Sequence, residues 1–124
     1  DPALLERIVD NLMLSAREYA PAGARIEVEL ARSQGQWLLR IGNPAPDLAE
    51  ADLPHLGQRF WRKSPAREAT RHGGLGLALA TTLAAVLAMV LRFELRDGVL
   101  WAILGPLPDI GSINTRPTRD AAGR

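Results

Sequence analysis

Apolar and polar positions alternate along this chain with two periods, and the switches between them mark out five segments. Over residues 4–19, Leu4, Leu5, Ile8, Val9, Leu12, Ala16 and Tyr19 recur every three or four positions. This is the stripe of an amphipathic helix. Asp1 and Pro2 suit its N-cap and first turn, and Pro21, Ala22 and Gly23 end it. From Arg25 to Leu30 the period falls to two, with Ile26, Val28 and Leu30 between Arg25, Glu27 and Glu29, which predicts a half-buried strand. Ser33-Gln34-Gly35 turns the chain into a second strand, Trp37–Ile41. Gly42-Asn43-Pro44-Ala45-Pro46-Asp47 then carries two prolines and is expected to break regular structure.

Asp52–Leu56 can form a short helical turn. Residues 62–72 are polar and basic, with Arg62, Lys63, Arg67 and Arg71, and read as a mobile loop of the lid type. Beyond it, Arg71-His72-Gly73-Gly74-Leu75-Gly76-Leu77 opens a second helix expected to reach about Ala88. That helix is apolar nearly all round and so should be central and buried. Leu91, Phe93 and Leu95 alternate with Arg92, Glu94 and Arg96; Asp97-Gly98 is a hairpin signal, and Val99–Leu104 is the last strand before Gly105-Pro106. Helix, hairpin, loop, helix, hairpin makes an α/β (α+β) two-layer sandwich with the helices over one sheet. The domain is assigned to residues 1–106; residues 107–124 lack periodicity and are expected to be a disordered tail.

Composition changes this picture little. At 124 residues the chain fits one domain, and a formal net charge of +1 gives no general reason to expect nucleic acid or an anionic membrane as partner. The aromatics beside the basic loop lack the spacing of a base-stacking platform. The absence of cysteine excludes disulfides and thiolate chemistry and suits the cytosol. The chain opens on Asp1-Pro2 without Met and is read as a domain of a longer protein. Gly73–Leu91 is uncharged over 19 residues, the length of a membrane span, but its crowded glycines, Thr81-Thr82 and the strand pattern that follows favour a buried helix.

The candidate chemistry starts at the glycines. Gly73, Gly74 and Gly76 let backbone approach a ligand, and a helix N-terminus offers unpaired N–H groups to a phosphate; the same composition also serves close packing. On the first helix Arg7, Asn11, Ser15 and Glu18 share a stripe, either a solvated face or the wall of a cleft. Asn43 is a candidate ligand group or a turn former. Neither histidine has a catalytic setting: His55 reads as structural or superficial, and His72 as a further candidate phosphate contact. No His/Asp/Glu cluster has zinc spacing.

Four blocks in order resemble the catalytic and ATP-binding domain of bacterial sensor histidine kinases, the Bergerat-type fold of gyrase, heat-shock chaperone and mismatch-repair ATPases. They are the Asn-bearing helix Asp10–Pro21, the adenine block Leu39–Asp47, the aromatic block Leu53–Arg62 and the phosphate block Gly74–Leu79, and the resemblance that rests on them covers about residues 1–106. The resemblance implies ATP and Mg2+ as ligands. It sets Asn11 at the phosphates and metal, Ser15 at the second metal position, Tyr19 against the nucleotide, and Asn43 and Ala45 in the adenine block. Phe60 and Trp61 would form the aromatic base of the lid. Arg62, Lys63, Arg67 or Arg71 would meet the γ-phosphate, while His72, Gly73, Gly74, Leu75, Gly76 and Leu77 would hold the phosphate chain.

Asn11 stands where hydrolytic relatives have a water-activating glutamate, so the resemblance implies phosphoryl transfer to a protein side chain. The partners it implies are a histidine-bearing dimerisation domain of the same protein and a response regulator, with this unit a cytoplasmic part of a membrane-attached sensor. Four positions depart from the pattern. Ser15 replaces a metal-binding Asn, Glu18 a cation, and Ala45 and Asp47 two glycines. The changes at Ser15 and Glu18 motivate a rival reading, a degenerate regulatory module; an independent hydrolase of the same superfamily is a third, against which stands the lack of a glutamate at position 11.

Overall fold

A computed structural model describes residues 1–58, 61 and 76–108. Helix α1 spans Pro2–Tyr19, strand β1 Glu27–Ser33, β2 Gln36–Pro44, a 3-10 segment Glu50–His55, helix α2 Gly76–Val86, β3 Val90–Arg96 and β4 Val99–Gly105. The α/β two-layer sandwich expected from the patterning is present, and the sheet is antiparallel throughout, in the order β1-β2-β4-β3. The second hairpin thus lies beside the first, with β2 and β4 central.

Local chemistry sets the element ends. The Asp1 carboxylate accepts from the Ala3 N–H at 2.9 Å, capping α1 ahead of Pro2. Both hairpins close on two residues of positive φ, Gln34 and Gly35 at 53° and 80° and Asp97 and Gly98 at 52° and 77°. Those values match the right-handed twist of the flanking strands.

The core lies between helices and sheet. Ile8, Leu12 and Ala16 from α1 and Leu77, Ala80 and Ala84 from α2 meet Leu39, Ile41, Leu100, Ala102 and Leu104. Ile8, Ala80, Ala84 and Leu104 are fully excluded from solvent. The two alanines of α2 leave room for α1 to pack closely against it, and the two helices are in extensive contact.

Three expectations are corrected. The break at Gly42-Asn43-Pro44 is not there: β2 continues to Pro44, because Asn43 pairs with Leu100 and Pro44 with Val99. Pairing with β1 ends at Gly42, so at Pro44 the strand has β4 alone beside it and is locally an edge, where proline is tolerated. The strand expected to be half-buried is open, with Val28 and Leu30 each 55% exposed, because β1 is an edge and the helices pack over β2 and β3. The second helix is not buried all round; it stops at Val86 and leaves Leu79 and Val86 exposed, so its apolar excess exceeds the surface available to cover it. Among the described residues no helix is long and apolar enough to cross a membrane.

The outer face of the sheet is closed differently. Trp101 lies over Gly42, and the Arg40 guanidinium sits 4.9 Å from the Trp101 ring. Arg40 Nε is also 2.9 Å from Glu29 Oε1, and Glu94 takes both Arg92 and Arg96. Under this cover Ile103 is 1% exposed.

Candidate functional site

Helical spacing sets the first wall. Asn11 and Ser15 are four residues apart in α1 and therefore share one face. The Asn11 amide nitrogen donates to the Arg7 carbonyl at 2.9 Å, which leaves Oδ1 as the outward acceptor. A Cβ built on Gly76, the first residue of α2, would lie 3.7 Å from that Oδ1. An amide oxygen on α1 therefore confronts the start of α2, where N–H groups lack intrahelical partners.

Ser15 and Asn43 are the buried polar side chains of the described residues, at 8% and 3% exposure. Asn43 is held on the helix-facing side of β2, the side of Leu39 and Ile41, and its Nδ2 donates to the Pro44 carbonyl at 3.0 Å. That bond leaves Oδ1 as the acceptor. Tyr19, at the last turn of α1, is half-buried against the core. Ala45 is 2% exposed within the core, and its N–H donates to the Gly98 carbonyl at 2.8 Å. Its side chain belongs to the buried core.

The aromatic block docks on α2. A Cβ at Gly57 would come within 3.1 Å of Thr81 Oγ1, a close approach that only glycine makes without displacing its neighbour. Thr81 itself donates to the Leu77 carbonyl at 2.8 Å. The sequence signal for this contact is the hydroxyl pair Thr81-Thr82 in an otherwise apolar helix. Trp61 stacks on His55 with ring centroids 5.6 Å apart, and His55 Nδ1 lies 3.0 Å from Gln58 Oε1. His55 is thus a packing partner of the site's rim, as expected.

Of the sequence-predicted residues, Asn11, Ser15, Gly76 and Leu77 lie along the facing helices, with Leu77 buried in the core. Phe60, Arg62, Lys63, Arg67, Arg71, His72, Gly73, Gly74 and Leu75 lie outside the described residues. Among the described residues no three His, Cys, Asp or Glu side chains gather as a metal cluster. Asn11 and Ser15 instead offer an amide and a hydroxyl oxygen. Such groups suit a hard cation that keeps most of its own water.

A sequence profile described as histidine kinase-, DNA gyrase B- and HSP90-like ATPase matches residues 1–105. The sensor protein CopS of Pseudomonas syringae pv. tomato is 34% identical over 76 residues, which is 61% of this chain and 16% of that protein. The sensor histidine kinase CusS of Escherichia coli K12 is 33% identical over 84 residues, 67% of this chain and 18% of the relative. The chain therefore spans less than a fifth of these curated relatives. Among solved structures, a mycobacterial sensor histidine kinase, MprB, aligns with a TM-score of 0.71 at 24% identity, covering 84% of this chain and 70% of that one. Full-length ShkA in complex with AMPPNP aligns at 0.67 and 18% identity, covering 84% of this chain and 21% of that one. At these identities the structural likeness speaks for the fold.

Proposed function

The chain belongs to the histidine kinase-, DNA gyrase B- and HSP90-like ATPase family, as the ATP-binding catalytic domain of a sensor histidine kinase, and we propose that it holds Mg-ATP between α1 and the start of α2. The observation that carries this reading is the Asn11 Oδ1 facing Gly76. It joins the two sequence blocks that a nucleotide's phosphates and metal would need together.

In this reading Asn11 and Ser15 supply oxygen ligands to Mg2+, and backbone N–H groups from Gly74 to Leu77 meet the phosphates at the positive end of α2. Asn43 accepts from the adenine amino group through its amide oxygen, with Ala45 beside it, and Tyr19 packs against the nucleotide. Phe60 and Trp61 form the base of the lid, while Arg62, Lys63, Arg71, His72 and Gly73 belong to the lid and phosphate entry. When bound, Mg2+ neutralises charge on the transferring phosphate. The residues here contribute position and charge rather than covalent chemistry. With an amide at position 11 the site lacks the water-activating glutamate of hydrolytic relatives, and by family likeness the γ-phosphate would go to a histidine of a separate dimerisation domain and from it to a response regulator. The nucleotide-binding unit is residues 1–106 with a tail from 107, in a cytoplasmic part of a membrane-attached sensor. The Leu107 N–H donates to the Trp37 carbonyl at 2.9 Å and ties the first tail residue to β2.

Calorimetric titration with a non-hydrolysable ATP analogue, with and without Mg2+, tests the proposal. Mg-dependent binding by the unaltered chain is expected, and Asn11→Ala should weaken it by about 10–100-fold, the usual cost of disturbing a metal's ligand set. Metal-independent binding that Asn11→Ala leaves unchanged would remove Asn11 from the site. A second reading, a regulatory module with weak nucleotide binding, is favoured by Ala45. Its methyl is packed in the core where the family pattern has glycine, and its N–H is committed to Gly98. Absence of binding by both the unaltered chain and Ser15→Asn would put that reading first.

A further inference from the structure

Helix α2 is held from two directions and open in a third. Ala80 and Ala84, fully excluded from solvent, face the core that α2 shares with α1. Thr81 is one residue on, about 100° further round the helix. It meets Gly57 of the aromatic block. Leu79 and Val86 lie on the side away from Thr81 and are 40% and 65% exposed. A sideways push at Thr81 is therefore directed at the open side of the helix.

The contact is stiff on both sides. A Cβ on Gly57 would stand 3.1 Å from Thr81 Oγ1 but 3.9 Å from Thr81 Cβ and Cγ2, so the hydroxyl alone makes the approach tight. That hydroxyl is fixed by its bond to the Leu77 carbonyl, and a branched side chain has few rotamers to choose from in a helix. Gly57 is fixed by its neighbours. Leu56 is 2% exposed in the core. Around it the Leu56 N–H donates to Leu53, Gln58 to His55 and Trp61 to Gln58, at 3.2, 2.9 and 3.3 Å, so the chain from Leu53 to Trp61 is a run of closed turns.

We infer that Gly57 and Thr81 are a positioning pair for the candidate site: bare backbone against a fixed hydroxyl sets the lateral place of α2, and with it the separation of Gly76 from Asn11. The inference rests on the nucleotide reading and adds to it a pair that acts through α2 rather than on the ligand. Gly76 precedes Thr81 by five residues, about 7.5 Å along the same helix. A methyl at position 57 demands a few tenths of an ångström from its neighbour, and close-packed interiors transmit such strain. The displacement carries the start of α2 across α1. A ligand that must satisfy Asn11 through its metal and the start of α2 through its phosphates then meets the two at the wrong spacing.

Calorimetry on the full 124-residue chain, with a non-hydrolysable ATP analogue titrated with and without Mg2+, tests the pair. Gly57→Ala, with unchanged far-ultraviolet dichroism, should reduce the affinity gained on adding Mg2+ by about 3–10-fold, a fraction of what a full ångström of misplacement costs. In a Thr81→Ala background the nearest atom of residue 81 is its Cβ, at 3.9 Å, an ordinary contact. There the same substitution should change that gain by less than about twofold, as for sites that no longer interact. A purely structural role for Gly57 would lower resistance to urea and leave the Mg2+ gain intact. Two results would overturn the inference alone: a Mg2+ gain that Gly57→Ala leaves unchanged, or a loss that persists undiminished in the Thr81→Ala background. An unaltered chain that gains no affinity from Mg2+ would overturn the nucleotide reading, and the inference with it.

Discussion

Gly42 has no freedom to carry a side chain. A Cβ there would fall 2.6 Å from Cζ3 of Trp101, inside any real contact, and the Arg40 guanidinium on the same indole restricts the ring's retreat. Gly42→Ala should therefore cost about 1–3 kcal/mol, the usual range for over-packing, measured by urea unfolding. Combining it with Trp101→Leu should shrink that increment. Nothing local in the sequence announces this contact, because Gly42 and Trp101 meet only through the pairing of β2 with β4. Read along the chain, Gly42 looked like the start of a break. Glu94 makes a second residue-scale case. The hydrogen bond from Arg92 foremost, with the nearby charges of Arg92, Arg96 and Arg40, outweighs burial and lowers its carboxyl below the ordinary value of 4.5. A lowered folded-state pKa favours folding above the ordinary value and loses that contribution as pH falls through the folded one. Stability of the unaltered protein relative to Glu94→Gln should be constant near neutrality and decline below about pH 4.5. A difference that instead grew with acid would contradict the assignment.

Helix α2 ends on a residue poorly suited to the geometry it adopts. Ala88 has φ of 60°, and around it the Met89 N–H donates to the Ala84 carbonyl at 2.8 Å and the Ala88 N–H to Ala85 at 3.0 Å. This is the Schellman pattern, with alanine at the left-handed position where glycine is usual. Ala88 is exposed, so its methyl contributes no core packing to offset the backbone cost. Ala88→Gly should raise stability by up to about 1 kcal/mol in denaturant unfolding, with the same slope. The sequence could not show this end. The apolar run continues through Val86 and Leu87 into Met89 and Val90, and composition alone extended the helix to Ala88. The N-cap of α1 and both hairpin turns were legible because Asp-Pro, Gln-Gly and Asp-Gly act within a few residues.

At the scale of the molecule, the layer architecture was readable because two helical and two hairpin patterns leave few ways to cover one sheet. The order β1-β2-β4-β3 was not, since each hairpin specifies its own pairing and says nothing of which strands join the two. That order leaves β1 outside the helix layer, so alternation in β1 correctly marked two different faces and wrongly implied that one was covered. The site divides in the same way. The Asn11–Ser15 spacing follows from helical periodicity, whereas the approach of Asn11 to Gly76 joins distant parts of the chain and came within reach only through family resemblance.

The tryptophans of the fold bear on spectroscopy. Trp37 lies beneath Arg32 at the sheet edge, Trp61 against His55 at the rim of the candidate site, and Trp101 beneath Arg40 on the outer face. Each indole has a different charged or heteroaromatic neighbour, and no two share a region. Intrinsic emission from this chain is therefore a composite of three independent local signals. Variants retaining one tryptophan at a time would separate events at the edge, at the site and on the back of the sheet without any attached dye.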